Sequence, residues 1–287
     1  MSAEAAALPR TRRRAKRSTT SVRGVVPAIC IAVIALVFLL ALFGPLLAPY
    51  DPTLPDQAYA FVGPVAGHPL GFDSQGRDLL SRLLAGAQTA ILAPTIITIV
   101  SVVLGSALGI AGAWFGGRMD TVISAAFDLV FSFPGLLLAI LAAAVFGRGM
   151  TGPIVALSIA FIPFLARIVR ADALRERAKD YIIAAELQGA SGLSVCFRHL
   201  LPNVFPSVVA QGTLTFGYAI STFAAVSYLG LGVQAPAADW GVMVSQGQNG
   251  ILSGYPMESL TSGLLIVAIV VAVNVLGERM LQEGEDS

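Results

Sequence analysis

The stretch AAELQGASGLSVCFRHLLPN, Ala184 to Asn203, interrupts a chain that is otherwise greasy enough to lie in a bilayer. Apolar small residues run up to Gly189, then come a basic turn and Pro202. Helical spacing puts Tyr181, Ala184, Ala185 and Gln188 on neighbouring faces. Gly189 suits a helix end. A second short helix over about 193–199 follows, and Pro202 opens the next long helix. An apolar helix of this length is too short to cross a membrane and needs a surface to cover it. Two coverings are open: the ends of the chain's own spans, or a separate protein in the cytosol.

The surroundings settle the class. Of 287 residues, 56% are hydrophobic and 12% charged, where a soluble domain carries about 25%. So few charges cannot solvate a globular surface, which leaves lipid as the solvent. Crossing the hydrocarbon takes about 20 apolar residues. Six stretches qualify, near 26–48, 88–114, 122–146, 151–170, 204–228 and 259–277, the third interrupted by SFPG at 132–135. The expectation is an all-α polytopic membrane protein with six spans. Its parts are a basic tail (1–25), a first span (26–48), an outside segment (49–87), a five-helix core (88–280) and a short tail (281–287).

Positive charge gives the orientation. With six spans, fifteen Lys and Arg fall on one side: seven in the N-terminal tail, Arg118, Arg167, Arg170, Arg175, Arg177, Lys179, Arg198 and Arg279. Arg77, Arg82 and Arg148 fall on the other. Both termini are therefore expected in the cytoplasm. The first apolar run exceeds a usual signal-peptide core, so it reads as an uncleaved anchor. The RTRRRAKR cluster reads as a topology signal and a contact for anionic lipid rather than nucleic acid.

In 49–87 the Pro- and Gly-rich half should be irregular, and DLLSRLL should be a short helix capped by Asp73 or Ser74. His68 has no partner of metal-ligand type close in sequence. The 229–256 loop either lines a pathway mouth or joins two spans, with Trp240 suited to a membrane interface. Asp128, a carboxylate inside a span, either pairs with Arg118 or serves a gate. Asn274 should bond a neighbouring helix, and Cys30 and Cys196 should remain thiols. There is no phosphate loop and no nucleophile–base set, so no enzyme is expected. A self-contained secondary transporter or channel would call for inverted repeats and several intramembrane carboxylates; neither is legible.

Ala184, Ala185 and Gly189, closed by RHLLPN at 198–203, resemble the EAA loop of ABC-importer permeases. HPLGFDSQGRDLLSRLLAGAQTAI (68–91), GAWFGGRMD (112–120), FDLVFSFPGLLLAI (127–140) and SYLGLGVQAPAADWGVMVSQG (227–247) are similar to the C-type permease subunit of the dipeptide, oligopeptide and nickel importers. Three positions depart from the pattern: Ile183 replaces a Glu, Gln188 an apolar residue, and Phe223 an often acidic one. The resemblance implies a type I importer permease fold in the inner membrane. It implies a heterodimer with a second permease, two cytosolic ATPases that handle ATP and Mg, and an extracytoplasmic solute-binding protein. No cofactor is implied on this chain. It places ATPase coupling on Asp180, Tyr181, Ala184, Ala185, Glu186, Gly189, Ala190, Arg198, Leu201 and Pro202. Asp128, Phe131, Phe133 and Phe223 are left as pathway or gate candidates.

Overall fold

The computed structural model describes residues 22–285. The basic cluster at 10–17 and the end of the C-terminal tail lie outside them. Among the described residues the chain is helical, without strands. Helix α1 (Val22–Leu47) carries Pro27 in its second turn and Pro45 in its last, each of which removes one i→i−4 hydrogen bond. Cys30, Val37 and Gly44, seven residues apart, turn inward along one seam, and most of the other side chains point outward. An outward surface of Leu36, Leu39, Leu42, Phe43 and Leu46 is stable only in lipid.

Helix α2 (Leu79–Phe115) is the axis of the molecule. Its 37 residues extend about 55 Å, well beyond the hydrocarbon thickness. The sequence places a short helix before span two; the two are one helix, because nothing between Leu79 and Gln88 breaks it. Its cap is Asp78, whose carboxylate accepts from Ser81 N at 2.7 Å, not Asp73 or Ser74. At the other end Gly116 and Gly117 take positive φ and turn the chain.

Helices α3 (Gly117–Phe131) and α4 (Gly135–Phe146) meet at an 81° bend. Proline disfavours the helical conformation in the residue before it, so Pro134 ends α3 and opens α4. The third span is thus a broken one. Among the described residues, five helices are long and apolar enough to cross a membrane, six with this pair. Helix α5 (Thr151–Arg177) packs along α2. The approach is close because a Cβ at Gly109 would lie 2.5 Å from Ala166 O. Short helices α6 (Asp180–Leu187) and α7 (Gly192–Val195) follow. A π-helical turn, Cys196–Leu200, carries α7 directly into α8 (Leu201–Tyr228), so the second short helix of the sequence reading is the first turns of span five.

The 229–256 loop folds into α9 (Trp240–Gln246) and α10 (Gln248–Leu252), which pack on α11 (Met257–Glu285). Trp240 is fully buried and its Nε1 donates to Leu83 O at 3.0 Å. It holds this loop to α2, in the protein core rather than at a lipid interface. Asn274 lies against Gly217 of α8, where a Cβ would meet its Oδ1 at 2.6 Å, but that oxygen accepts no hydrogen bond among the described residues. Cys30 and Cys196 are buried free thiols.

Candidate functional site

Three places concentrate polar chemistry in this apolar chain. The first is the α5–α6–α7 corner. Helix α6 ends in a Schellman turn: Gly189 N donates to Glu186 O at 3.0 Å and Ala190 N to Ala185 O at 3.2 Å. Gly189 has φ +83°, which L side chains rarely adopt. Ser191 then caps α7 through Ser194 N at 3.3 Å.

Helix α6 is held from beneath. Ile182 is fully buried among Val169, Ala173, Val195, Leu200 and Val204. Tyr181 Oη donates to Glu176 Oε1 at 2.5 Å and accepts from Asn203 Nδ2 at 2.8 Å, so one hydroxyl joins α5, α6 and α8. Burial, then the bond to Glu176, pushes this phenol up to about 12. Lys179 Nζ lies 2.8 Å from Glu176. Arg177 Nη1 donates to Ala113 O and Trp114 O at 2.9 and 2.7 Å and stacks over the Trp114 ring. The end of α5 is thereby fastened to the last carbonyls of α2, where the sequence shows only a topogenic charge.

The small residues do not form one outward knob. Ala185 and Ala190 are half-buried against the core beneath α6, as is Leu201 on its neighbours, while Asp180, Ala184, Glu186, Gly189, Arg198 and Pro202 are exposed. The outward face is larger and more apolar than the motif suggests. Leu187 is 84% exposed, Leu193 62%, Phe197 67%, with Ile183 beside them. Leu187, Leu193 and Phe197 are missing from the sequence-derived set; for the last two, their four-residue spacing was the available signal.

The second place is the broken third span. Asp128 Oδ1 takes a hydrogen bond from Arg167 Nη2 at 2.5 Å, so its partner is Arg167 of α5, not Arg118. The Arg167 guanidinium also lies over the Phe131 ring, 4.2 Å from its centre. Phe131 and Phe133 are exposed beside it. Phe223 is apart from them, buried among Ala93, Ile97, Ala219 and Val226. Three residues along α5, Arg170 forms a two-pronged pair with Asp120 at 2.6 and 2.5 Å. Asp172 bonds Ser207 of α8 and Arg175.

The third place is the end opposite α6. Asp73, Arg77, Arg82 and Glu258 are all buried. Asp73 Oδ2 lies 2.6 Å from Arg77 Nε and 3.3 Å from Arg82 Nε, and both guanidinium groups donate to Gln246 Oε1. These charges join the loop before α2 to α9. His68 Nδ1 lies 2.8 Å from Asp78 and its ring stacks on Tyr50. It is part of this loop's packing, and no group of three possible metal ligands gathers among the described residues.

Comparison with known proteins agrees with this architecture. Residues 101–282 match the family described as binding-protein-dependent transport system inner membrane component. A putative peptide transport system permease protein of Brucella suis is 37% identical over 250 residues, 87% of this chain and 84% of that one. A probable D,D-dipeptide transport system permease of Escherichia coli K12 is 36% identical over 86% of this chain and 82% of its own length. A glutathione transport system permease of Pectobacterium atrosepticum is 35% identical over 86% and 82%. The fold is similar to the MetNI methionine ABC transporter in an inward-facing form, with TM-score 0.58 and 21% identity over 71% of this chain and 96% of that one. With the family matched over most of the chain and the fold in agreement, this protein belongs to the binding-protein-dependent inner membrane permeases, as a multi-pass subunit of an ABC importer.

Proposed function

We propose that this chain carries peptides, of the size of di- or oligopeptides, as half of a heterodimeric pathway with a second permease of the same kind. The relatives named for peptides, D,D-dipeptides and glutathione support that cargo class. Two cytosolic ATPases bind and hydrolyse Mg-ATP, and this chain binds no cofactor. An extracytoplasmic binding protein delivers the cargo. Both termini lie in the cytoplasm, so α6 faces the ATPases. Arg118, Arg175, Arg177, Lys179 and Arg198 crowd that end of the bundle, as inside-positive charge requires.

One observation carries the coupling role. The corner is fixed to the bundle through α6 on one side and offers Leu187 of α6, Leu193 of α7 and Phe197 of the π-turn to solvent on the other. An apolar face outside the hydrocarbon needs a partner. ATP-driven closure of the ATPases pulls on that face. The pull passes through Tyr181 and Ile182 to α5 and α8 and switches the pathway between its two states. The test is the complete complex in proteoliposomes with its binding protein and a panel of dipeptides. Leu187→Asp and Phe197→Asp are expected to abolish peptide-stimulated ATPase activity and uptake while the permease pair remains folded. Full activity in both variants refutes the coupling role, and a wild type that no peptide stimulates refutes the cargo class.

A further inference from the structure

Two features suit the face around the broken third span to a protein- or water-lined surface rather than to lipid. The Asp128–Arg167 pair is exposed on it: 70% of the Asp128 side chain and 50% of the Arg167 side chain are uncovered. A charge left to hydrocarbon costs several kcal/mol, on the order of 3 by insertion measurements. The backbone break at Ser132–Pro134 is exposed beside it, and irregular backbone at membrane depth survives only inside protein or along a water-filled cavity. Arg167 is 10 residues before the end of α5 at Arg177, about 15 Å along the helix axis, so the pair lies away from α6, in the cytoplasmic half of α5.

The same face carries aromatic rings on three helices. Phe131 of α3 lies under Arg167. Phe164, one turn before Arg167 on α5, meets Tyr218 of α8 edge-on at 6.3 Å. Phe133 stands at the break and is exposed. Apolar and aromatic walls with a few placed polar groups are the usual composition of a small-molecule site. Here the polar groups are one anion and one cation that satisfy each other when nothing else is present. Their complement is a molecule with one positive and one negative end.

We infer that Asp128 and Arg167 are a cargo site in the pathway, which opens to take the two charged termini of a zwitterionic peptide. Asp128 receives the α-ammonium group, and the guanidinium of Arg167 receives the α-carboxylate in two-pronged fashion. A dipeptide spans about 7 Å end to end, so the pair separates on loading, chiefly by a swing of the long, half-uncovered Arg167 side chain away from the short Asp128. Phe131 and Phe133 hold the apolar middle of the cargo. On release the pair closes again, so no charge is left unpaired in the empty pathway. This inference rests on the peptide-importer reading above.

The test uses the full complex with Cys30 and Cys196 replaced by alanine and a single cysteine introduced one turn from Asp128 as Ala125→Cys or Ser132→Cys, both exposed positions that leave the charge pair intact. Labelling by a membrane-impermeant thiol reagent is followed with and without binding protein loaded with the dipeptide that most stimulates the unsubstituted complex. The site predicts labelling of both cysteines in the peptide-free complex. It predicts at least fivefold slower labelling with the free dipeptide, and no slowing with the same dipeptide blocked at both ends, at concentrations that saturate the binding protein. In transport, Asp128→Asn and Arg167→Gln should each lower uptake at least tenfold while the binding protein still stimulates ATPase activity. Cysteines that do not label would place the pair against the second permease and overturn the inference. Labelling unaffected by peptide, or slowed equally by the blocked one, would overturn it too. If no peptide stimulates the unsubstituted complex, the peptide-importer reading fails first, and this inference with it.

Discussion

Leu187 and Ile182 lie on the same short helix and should fail in opposite ways. Leu187 is 84% exposed, so its apolar surface is spent only when a partner covers it. Truncation to alanine removes three carbons at about 0.8 kcal/mol each, and the exposed share of that is about 2 kcal/mol. The affinity of the ATPases for the permease pair should therefore fall about thirtyfold. The folded permease should not change, because Leu187 touches little of its own chain. Ile182 is fully buried, and Ile182→Ala should cost about 2–5 kcal/mol of permease stability. The assay is ATPase binding to nanodisc-embedded permease pairs, alongside the thermal midpoint of the permeases alone. If Leu187→Ala binds within twofold of wild type, or lowers the midpoint as much as Ile182→Ala, the division of α6 into a docking face and an anchoring face is wrong.

Gly189→Ala should destabilise the α6–α7 turn by about 1 kcal/mol through backbone strain alone, since a Cβ there meets nothing within 4 Å. Gly189→Asn should cost less, as read by protease sensitivity of the turn. Tyr181→Phe should cost about 1 kcal/mol near neutral pH. The Tyr181 phenol is raised in the folded state to about 12 from about 10. Its contribution is complete below pH 10 and disappears as pH rises through 12, so the variant should lack the alkaline fall in midpoint that wild type shows. Asp73→Ala removes the carboxylate that touches both Arg77 and Arg82, leaving two buried cations with only Glu258 nearby, and should cost about 3–5 kcal/mol, visible as loss of folded protein on mild heating in detergent. Trp240→Phe removes the bond to Leu83 O and part of a buried ring; a loss of about 2 kcal/mol is expected, with α9 becoming the first segment to exchange amide hydrogen.

The spans were legible because lipid imposes a crude rule. Long apolar runs must be helical and inside the membrane, and no tertiary knowledge is needed to find Val25–Leu47 or Met257–Gln282. Boundaries were less legible. The start of α2 at Leu79 was hidden because residues 79–87 are packed in protein rather than lipid, so their hydropathy does not mark a span. The small-residue motif at 184–189 marked the α6–α7 corner proposed for coupling, but not which of its residues look outward. Ala184 and Ala185 are neighbours in sequence and lie on different faces, and that depends on where α5 ends and how α8 begins.

The sequence by itself determined the membrane class, the number of apolar runs, the break at Ser132–Pro134 and the turn at Gly189. Each follows from a local rule: hydrophobic length, the steric demand of proline, or the freedom of glycine. Tertiary structure alone decided the charge partners. Arg167 is 39 residues from Asp128, Arg170 is 50 from Asp120, and Gln246 is 164 from Arg82. A side chain of either charge is indistinguishable in sequence from any other of its sign. Only the crossing of helices in space chooses which anion neutralises which cation, and in a chain this apolar an unneutralised charge is too costly to keep.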